Sequence, residues 1–308
     1  MRTGHGYGSC HHGELLQGFF RGPGGRPRPG LVTLPSPVAG VHARFRPDPE
    51  PVGVTVHPRG RTKAAHAAQL ALRAIAPPGG PAGGRLRLAG PVPTGLGMGS
   101  STADVVAAVR AVADACGIVP DPRTVARIAV AAEGASDPLM FDDPATRLFA
   151  QRDGVVVEVL GPALPPLLVL GCLLDGGRPV DTPAAEPAIP PDGVVDAYEE
   201  LRDRLRAGLL RADPAEVAAV ATRSARLHRT DDQLDRLLGA AEVPGVLGVQ
   251  IAHSGSVAGL IVDPAGPDPG RVVERATRAL RAAGLPSTGP FTVGTGVPVA
   301  PVVAGLRR

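Results

Sequence analysis

The chain has 308 residues, with 32 Lys and Arg against 29 Asp and Glu, a net charge of +3, 3% aromatic residues and no tryptophan. That balance argues against a dedicated nucleic-acid binder, which needs a concentrated basic surface, and the scarcity of aromatics removes the stacking platforms used on single strands. Cys10, Cys116 and Cys172 lack metal-ligand spacing and suit a reducing cytoplasmic compartment, and no apolar run is long enough to span a bilayer, so neither nucleic acid nor a membrane is expected as a partner.

In chain order, residues 1–9 are glycine-rich and lack the apolar core of a signal peptide. Cys10-His11-His12-Gly13-Glu14-Leu15-Leu16-Gln17-Gly18 follows, a carboxylate, an amide and two imidazoles set between glycines. By itself it reads as a strand-to-turn segment with solvated polar groups. Adjacent strand residues point to opposite faces, so His11 and His12 are ill placed to share a metal. Residues 22–30 read as a flexible surface loop, and 31–35, 40–45 and 52–56 as short strands whose prolines suit edge positions. A helix is expected over 62–75 and a strand over 84–89.

That strand delivers the chain to Pro93-Thr94-Gly95-Leu96-Gly97-Met98-Gly99-Ser100-Ser101-Thr102. Beyond it Val105, Val106, Val109, Val112, Ala113 and Cys116 recur at spacings of three and four, one buried helical face that ends at Gly117. A strand, a glycine loop and a helix in this order make a phosphate cradle. The first-turn amides have no internal partner, the helix dipole favours an anion there, and glycines let backbone approach phosphate oxygens. Ser100, Ser101 and Thr102 can donate hydrogen bonds or ligate magnesium. Two commoner motifs are excluded. The P-loop needs a lysine, and Lys63 is the only one in the chain; the dinucleotide fingerprint needs a glycine where Ser100 stands. Taken alone, the stretch also reads as a Ser-capped glycine loop feeding a core helix.

A helix over 121–132 leads into Glu133-Gly134-Ala135-Ser136-Asp137, where two acids four residues apart share a face if the helix continues and not if Gly134 breaks it. The segment also reads as an ordinary helix terminus. Beside a phosphate cradle the acids acquire a purpose, because phosphoryl transfer needs a metal to neutralise charge and a group to position the attacking hydroxyl. Glu133 with Ser101 is the magnesium candidate. Asp142 and Asp143 read as a solvated turn. Strands are expected at 155–160 and 164–174, with a boundary that divides the chain into domains 1–163 and 164–308. An irregular connection over 178–193 precedes amphipathic helices at 194–207 and 214–227, either of which suits a homodimer interface, and a helix at 234–241. Gln250 to Asp263 contains a polar glycine turn between apolar runs, a hairpin pattern. A helix at 272–283 and a strand at 291–293 close a layered α+β (α/β) chain.

Three of these segments resemble the GHMP kinase family. Pro91 to Ala103 is similar to the central Pro-x-x-x-Gly-Leu-Gly-Ser-Ser-Ala-Ala motif of that family, and the Gly97-Met98-Gly99-Ser100-Ser101-Thr102-Ala103-Asp104 version resembles the L-threonine kinases of cobalamin side-chain synthesis. Ser9-Cys10 with Gly13 to Gly18 resembles the Ser-Cys-Gly-Glu-Leu-Leu-Gln-Gly of that branch, with His11-His12 as an insertion. His253-Ser254-Gly255-Ser256 through Leu260 resembles its His-Ser-Gly-Ser/Thr-x-x-Gly-Leu. The resemblance implies a GHMP kinase fold, with an amino-terminal half like ribosomal S5 domain 2 and a ferredoxin-like carboxy-terminal half, and an ATP- and Mg2+-dependent kinase. It further implies that Pro93, Gly95, Leu96, Gly97, Met98, Gly99, Ser100, Ser101 and Thr102 bind the nucleotide phosphates, that Ser101 and Glu133 hold the metal, and that Asp137 is the base. Glu14, Gln17, His253, Ser254, Gly255 and Ser256 would face a small-molecule hydroxyl acceptor, L-threonine in the leading case. Another hydroxy amino acid, a homoserine-like alcohol and a non-catalytic nucleotide-binding scaffold stay open.

Overall fold

The computed structural model describes residues 2–22, 24–36, 40–48, 53–91, 95–179 and 188–294; Pro93 lies outside them. The first half contains β1 (Gly4–Gly8), β2 (His11–Arg21), β3 (Pro27–Pro35), β4 (Val41–Asp48), β5 (Gly53–His57), α1 (Thr62–Ile75), β6 (Gly83–Ala89), α2 (Ser100–Ala115), α3 (Pro122–Glu133), β7 (Thr146–Ala150) and β8 (Val155–Gly161). The second contains β9 (Leu167–Leu173), α4 (Asp192–Leu210), α5 (Pro214–His228), α6 (Asp232–Ala240), β10 (Val246–Ile251), β11 (Val257–Val262), α7 (Pro269–Ala282) and β12 (Ser287–Val293).

The described strands form two sheets, one in the order β1-β4-β6-β5 and one in the order β12-β9-β11-β10-β2-β3-β7-β8. In the smaller sheet β4 and β6 alternate between buried and exposed residues. Val41, Ala43, Phe45, Leu86 and Leu88 face inward, where they share a core with the alanine- and valine-rich faces of α1, α2 and α3. Helix α1 crosses between β5 and β6, which pair in parallel. The larger sheet takes strands from both sides of residue 163, and α4 and α5 pack on it around Leu15, Leu16 and Val169. Helices α6 and α7 cover β9, β10 and β11. Strand β11 is buried along its whole length, as expected of a central strand covered on both faces.

Several local expectations change. The amino-terminal glycine stretch is a strand: β1 lies directly on α2, and a Cβ on Gly4, Gly6 or Gly8 would stand 2.1 Å from a carbonyl oxygen of that helix. Part of the loop expected over 22–30 belongs to β3, which starts at Pro27. That strand is interior, yet its prolines are tolerated because β7 pairs with it only at Leu31, so Pro27 and Pro29 owe no hydrogen bond to a second neighbour. The polar groups of residues 10–18 are buried, because β2 lies between β10 and β3.

Candidate active site

Helix α2 begins after Gly99, a left-handed residue (φ 66°), and neither a side-chain cap nor an acidic residue occupies its first turn. Its leading amides are therefore left to an incoming anion. Gly95 and Gly97 also have positive φ, 78° and 83°, a conformation that side chains with a Cβ rarely adopt. The loop of residues 95–99 is half-buried, so it is not packed shut.

The turn between β10 and β11 docks on this loop. Leu96 O accepts from Ser256 N at 3.0 Å and from Val257 N at 2.9 Å. A Cβ on Gly97 would stand 2.5 Å from Ser254 O. The amino-terminal motif meets the loop as well, since His11 N donates to Met98 O at 3.2 Å. Segments separated by about half the chain thus converge on one glycine loop, and β10 and β11 form the hairpin that the pattern of Gln250 to Asp263 predicts.

At the end of α3, Gly134 (φ 83°) stops the helix, so Glu133 and Asp137 do not share a helical face. They are instead brought together around the hydroxyls of α2. Ser101 Oγ donates to Glu133 Oε2 at 2.7 Å, and Thr102 Oγ1 lies 2.8 Å from Glu133 Oε1 and 3.4 Å from Asp137 Oδ2. The Asp137 amide donates to the same Thr102 oxygen at 3.3 Å. Burial pushes the Glu133 carboxyl up to about 7, against the pull of its hydroxyl partners.

Asp137 has a second neighbour, His11, to which no motif assigns a role. His11 Nε2 lies 3.1 Å from Asp137 Oδ2, and Nδ1 lies 3.2 Å from Gly13 O and 3.6 Å from Glu14 Oε1. Burial opposes a charged ring, but the Asp137 and Glu14 carboxylates outweigh it and raise His11 to about 9. Burial likewise raises Glu14 to about 8. Burial alone would raise Asp137 as well, yet the His11 ring holds it below the usual carboxylate range. His12 points away from this group: its Nδ1 accepts from Gln250 Nε2 at 2.8 Å, and its ring packs on Phe291. Burial lowers it to about 4, so it is neutral.

Glu14 and Gln17 are buried behind other groups. Gln17 Oε1 accepts from His253 Nδ1 at 2.9 Å, which leaves Nε2 as the free nitrogen of that ring. His228 Nε2 donates to His253 O at 2.9 Å, and the two rings stand 5.0 Å apart. Burial and the His228 neighbour lower His253 to about 4. Glu14 stands behind His11, and His11 behind Asp137. Asp142 and Asp143 are exposed and pair with Arg110 and Arg147, as a surface turn would.

Residues 62–146, which run from α1 through the glycine loop to the start of β7, match the family described as GHMP kinases N terminal domain. No curated protein sequence matches the chain significantly. Among solved structures, a homoserine kinase from Cytophaga hutchinsonii superposes with a TM-score of 0.65 over 95% of each chain at 15% identity. A galactokinase from Lactococcus lactis gives 0.63 over 95% of this chain and 94% of the other at 12% identity. An L. major mevalonate kinase gives 0.60 over 95% and 96% at 16% identity. Residues 62–146 are thus similar to the N-terminal domain of GHMP kinases, and the chain as a whole has the GHMP kinase fold.

Proposed function

We propose that this protein is an ATP-dependent kinase that phosphorylates the hydroxyl of a small molecule, with L-threonine giving L-threonine O-3-phosphate as the leading case. The observation that carries the reading is the meeting of the uncapped start of α2 with two carboxylates through Ser101 and Thr102. An anion site, a metal site and a hydroxyl-positioning acid then lie within a few ångströms of one another, which is the inventory phosphoryl transfer requires.

The residues fit magnesium nucleotide. Ser101 and Glu133 offer hard oxygen donors of the kind magnesium takes, usually alongside waters and phosphate oxygens. The left-handed glycines expose backbone where phosphate oxygens would approach, and with Lys63 the only lysine, arginines, backbone amides and the metal would supply the transition-state charge stabilisation. Magnesium nucleotide, when bound, supplies a γ-phosphoryl group whose charge is partly neutralised. Asp137 accepts a hydrogen bond from the acceptor hydroxyl, aims its oxygen and takes its proton. His253 offers Nε2 to a polar group of the acceptor, its ring fixed by Gln17. Ser254 and Gly255 lie against the glycine loop, while Ser256 is buried and donates its hydroxyl to Arg178 O, so it supports the turn from behind and does not meet the acceptor.

The first and third motifs favour L-threonine, through their resemblance to the threonine kinases of cobalamin synthesis. A homoserine-like alcohol is the second reading, favoured by the full-length likeness to a solved homoserine kinase. Residues 1–163 and 164–308 then act as two halves of one site rather than as independent units, and the protein works in the cytoplasm on a small-molecule partner. ATP consumption with L-threonine, L-serine, L-homoserine and ethanolamine in parallel, with products identified by mass, tests this. Failure to bind magnesium nucleotide at millimolar supply removes the kinase reading altogether.

A further inference from the structure

We propose that His11 is a positioning residue for phosphoryl transfer: its ring, braced from behind by Gly13 and Glu14, holds Asp137 as a fixed anion aimed at the acceptor hydroxyl. The inference rests on the reading of Asp137 as the hydroxyl-orienting base.

Strand β2 is built to place this ring. His11 pairs with Pro35 and Glu14 with Thr33, three residues advanced on β2 against two on β3. The extra residue makes a β-bulge at Gly13, whose φ is 72°. A bulge of this kind re-aims a side chain, and the two histidines that stand as an insertion in the motif are the residues it redirects. The ring also presses on the phosphate loop, because a Cβ on Gly99 would stand 2.4 Å from His11 Cδ2. One imidazole therefore touches both the loop and the acid.

The partners of the ring decide its charge. Nε2 faces the Asp137 carboxylate at 3.1 Å and Nδ1 faces the Gly13 carbonyl at 3.2 Å, both of them acceptors, with the Glu14 carboxyl beyond Nδ1 at 3.6 Å. A neutral imidazole would turn a bare nitrogen lone pair toward one of those oxygens; an imidazolium satisfies both sides. The raised pKa of His11 agrees. The side chains of His11 and Glu14 are 3% and 1% exposed against 22% for Asp137, so only the far end of the relay meets the site. Further titratable groups act on this cluster: Glu133 from the end of α3 and Cys10 face Asp137, His12 stands next to His11, and His253 from the β10–β11 turn acts on Asp137 and His11. Burial lowers both His12 and His253 to about 4, so neither competes for the positive charge. His11, Glu14 and Asp137 each offer an atom within 4.8 Å of the others. They do not form a cation site, since the two ring nitrogens face different carboxylates rather than a common centre.

The test combines His11→Gln and His11→Ala with a measurement on the unmodified protein. In both variants kcat falls at least about tenfold while KM for ATP changes by less than about threefold, and the acid limb of the kcat profile moves up by about one pH unit or more as Asp137 loses its counter-charge. Unchanged kcat and an unmoved acid limb in a folded, nucleotide-binding His11→Gln overturn the proposal. Should the variants fail to fold, side-chain 15N shifts in the wild-type protein decide: both His11 nitrogens protonated at pH 7 supports it, and a neutral tautomer overturns it. A neutral ring in an active enzyme removes the role of His11 alone, whereas absence of turnover with every acceptor removes the kinase reading and the positioning role with it.

Discussion

Gly255 rests against the backbone of Gly97 so closely that a Cβ on Gly255 would stand 2.4 Å from the Gly97 nitrogen and 2.5 Å from the Leu96 carbonyl carbon. Gly255 also holds a φ of 120°, where a side chain is strained whatever the space. Both neighbours are main chain, so nothing flexible can yield. Gly255→Ala should cost about 1–3 kcal/mol of stability and weaken nucleotide binding as the β10–β11 turn lifts from the phosphate loop. Thermal melts and a magnesium-ATP titration check this, and a variant that melts and binds like wild type would break the link between turn and loop.

Glu133 is gripped by two hydroxyls of α2, Ser101 at 2.7 Å and Thr102 at 2.8 Å. Replacing its charge should matter more than removing one of its partners. Glu133→Gln is expected to lower kcat by about 100-fold or more and to raise the magnesium needed for half-maximal rate. Ser101→Ala should cost about tenfold, toward the lower end of losses seen when metal-site partners are removed. Initial rates across a magnesium titration at fixed ATP separate the two; equal effects, or none, would count against a metal at this place.

The buried Glu14 and His11 pair gives stability a defined pH dependence. Burial raises Glu14 from 4.5 to about 8, and the neighbouring carboxylates raise His11 from 6.5 to about 9, against burial. A group whose pKa is raised by folding stabilises the native state fully below its unfolded value and stops doing so as pH climbs through its folded value. Both contributions therefore fade in the same direction, so the melting temperature should fall between about pH 6 and 9. Glu14→Gln cannot ionise and should flatten part of that slope. A wild-type melting temperature that is level over this range, or that rises, contradicts the assignment.

Gly6 lets β1 lie on α2 at backbone distance, with the site of its missing Cβ only 2.1 Å from Ala107 O. Gly6→Ala must push the strand off the helix that starts the phosphate loop, at a cost of about 1–3 kcal/mol or more. Gly193, near the start of α4, has nothing within 4 Å of a Cβ and serves as the control. Gly193→Ala should be neutral or stabilising by up to about 1 kcal/mol. Denaturant unfolding of the two variants tests the contrast.

The phosphate loop is legible in the sequence because its determinants are local: alternating glycines, hydroxyls at a helix start, and the three-four spacing of Val105, Val109 and Val112. The hairpin around Ser254 is visible as an option for the same reason. The relation of Glu133 to Asp137 is not, because it hinges on whether Gly134 ends α3, and a helix terminus is settled by what packs beyond it. Strand β7 and the strand character of Gly4 to Gly8 are likewise hidden. Five residues with three glycines carry no period-two apolar signal, and only the face of α2 explains why no side chain is tolerated there.

Residue order alone establishes which chemistry is in reach: an anion cradle, hydroxyls and carboxylates along the chain, and cationic side chains that are arginine almost without exception. Folding selects which of those groups meet. It sends His11 to Asp137 and His12 to Gln250, buries Gln17 behind His253, and sets the turn at Gly255 on the loop at Gly97. The division arises because propensity and hydrophobic period act over a few residues. Contacts across more than a hundred residues come from sheet register, and there a single extra residue at the Gly13 bulge selects which face, and which partner, a side chain finds.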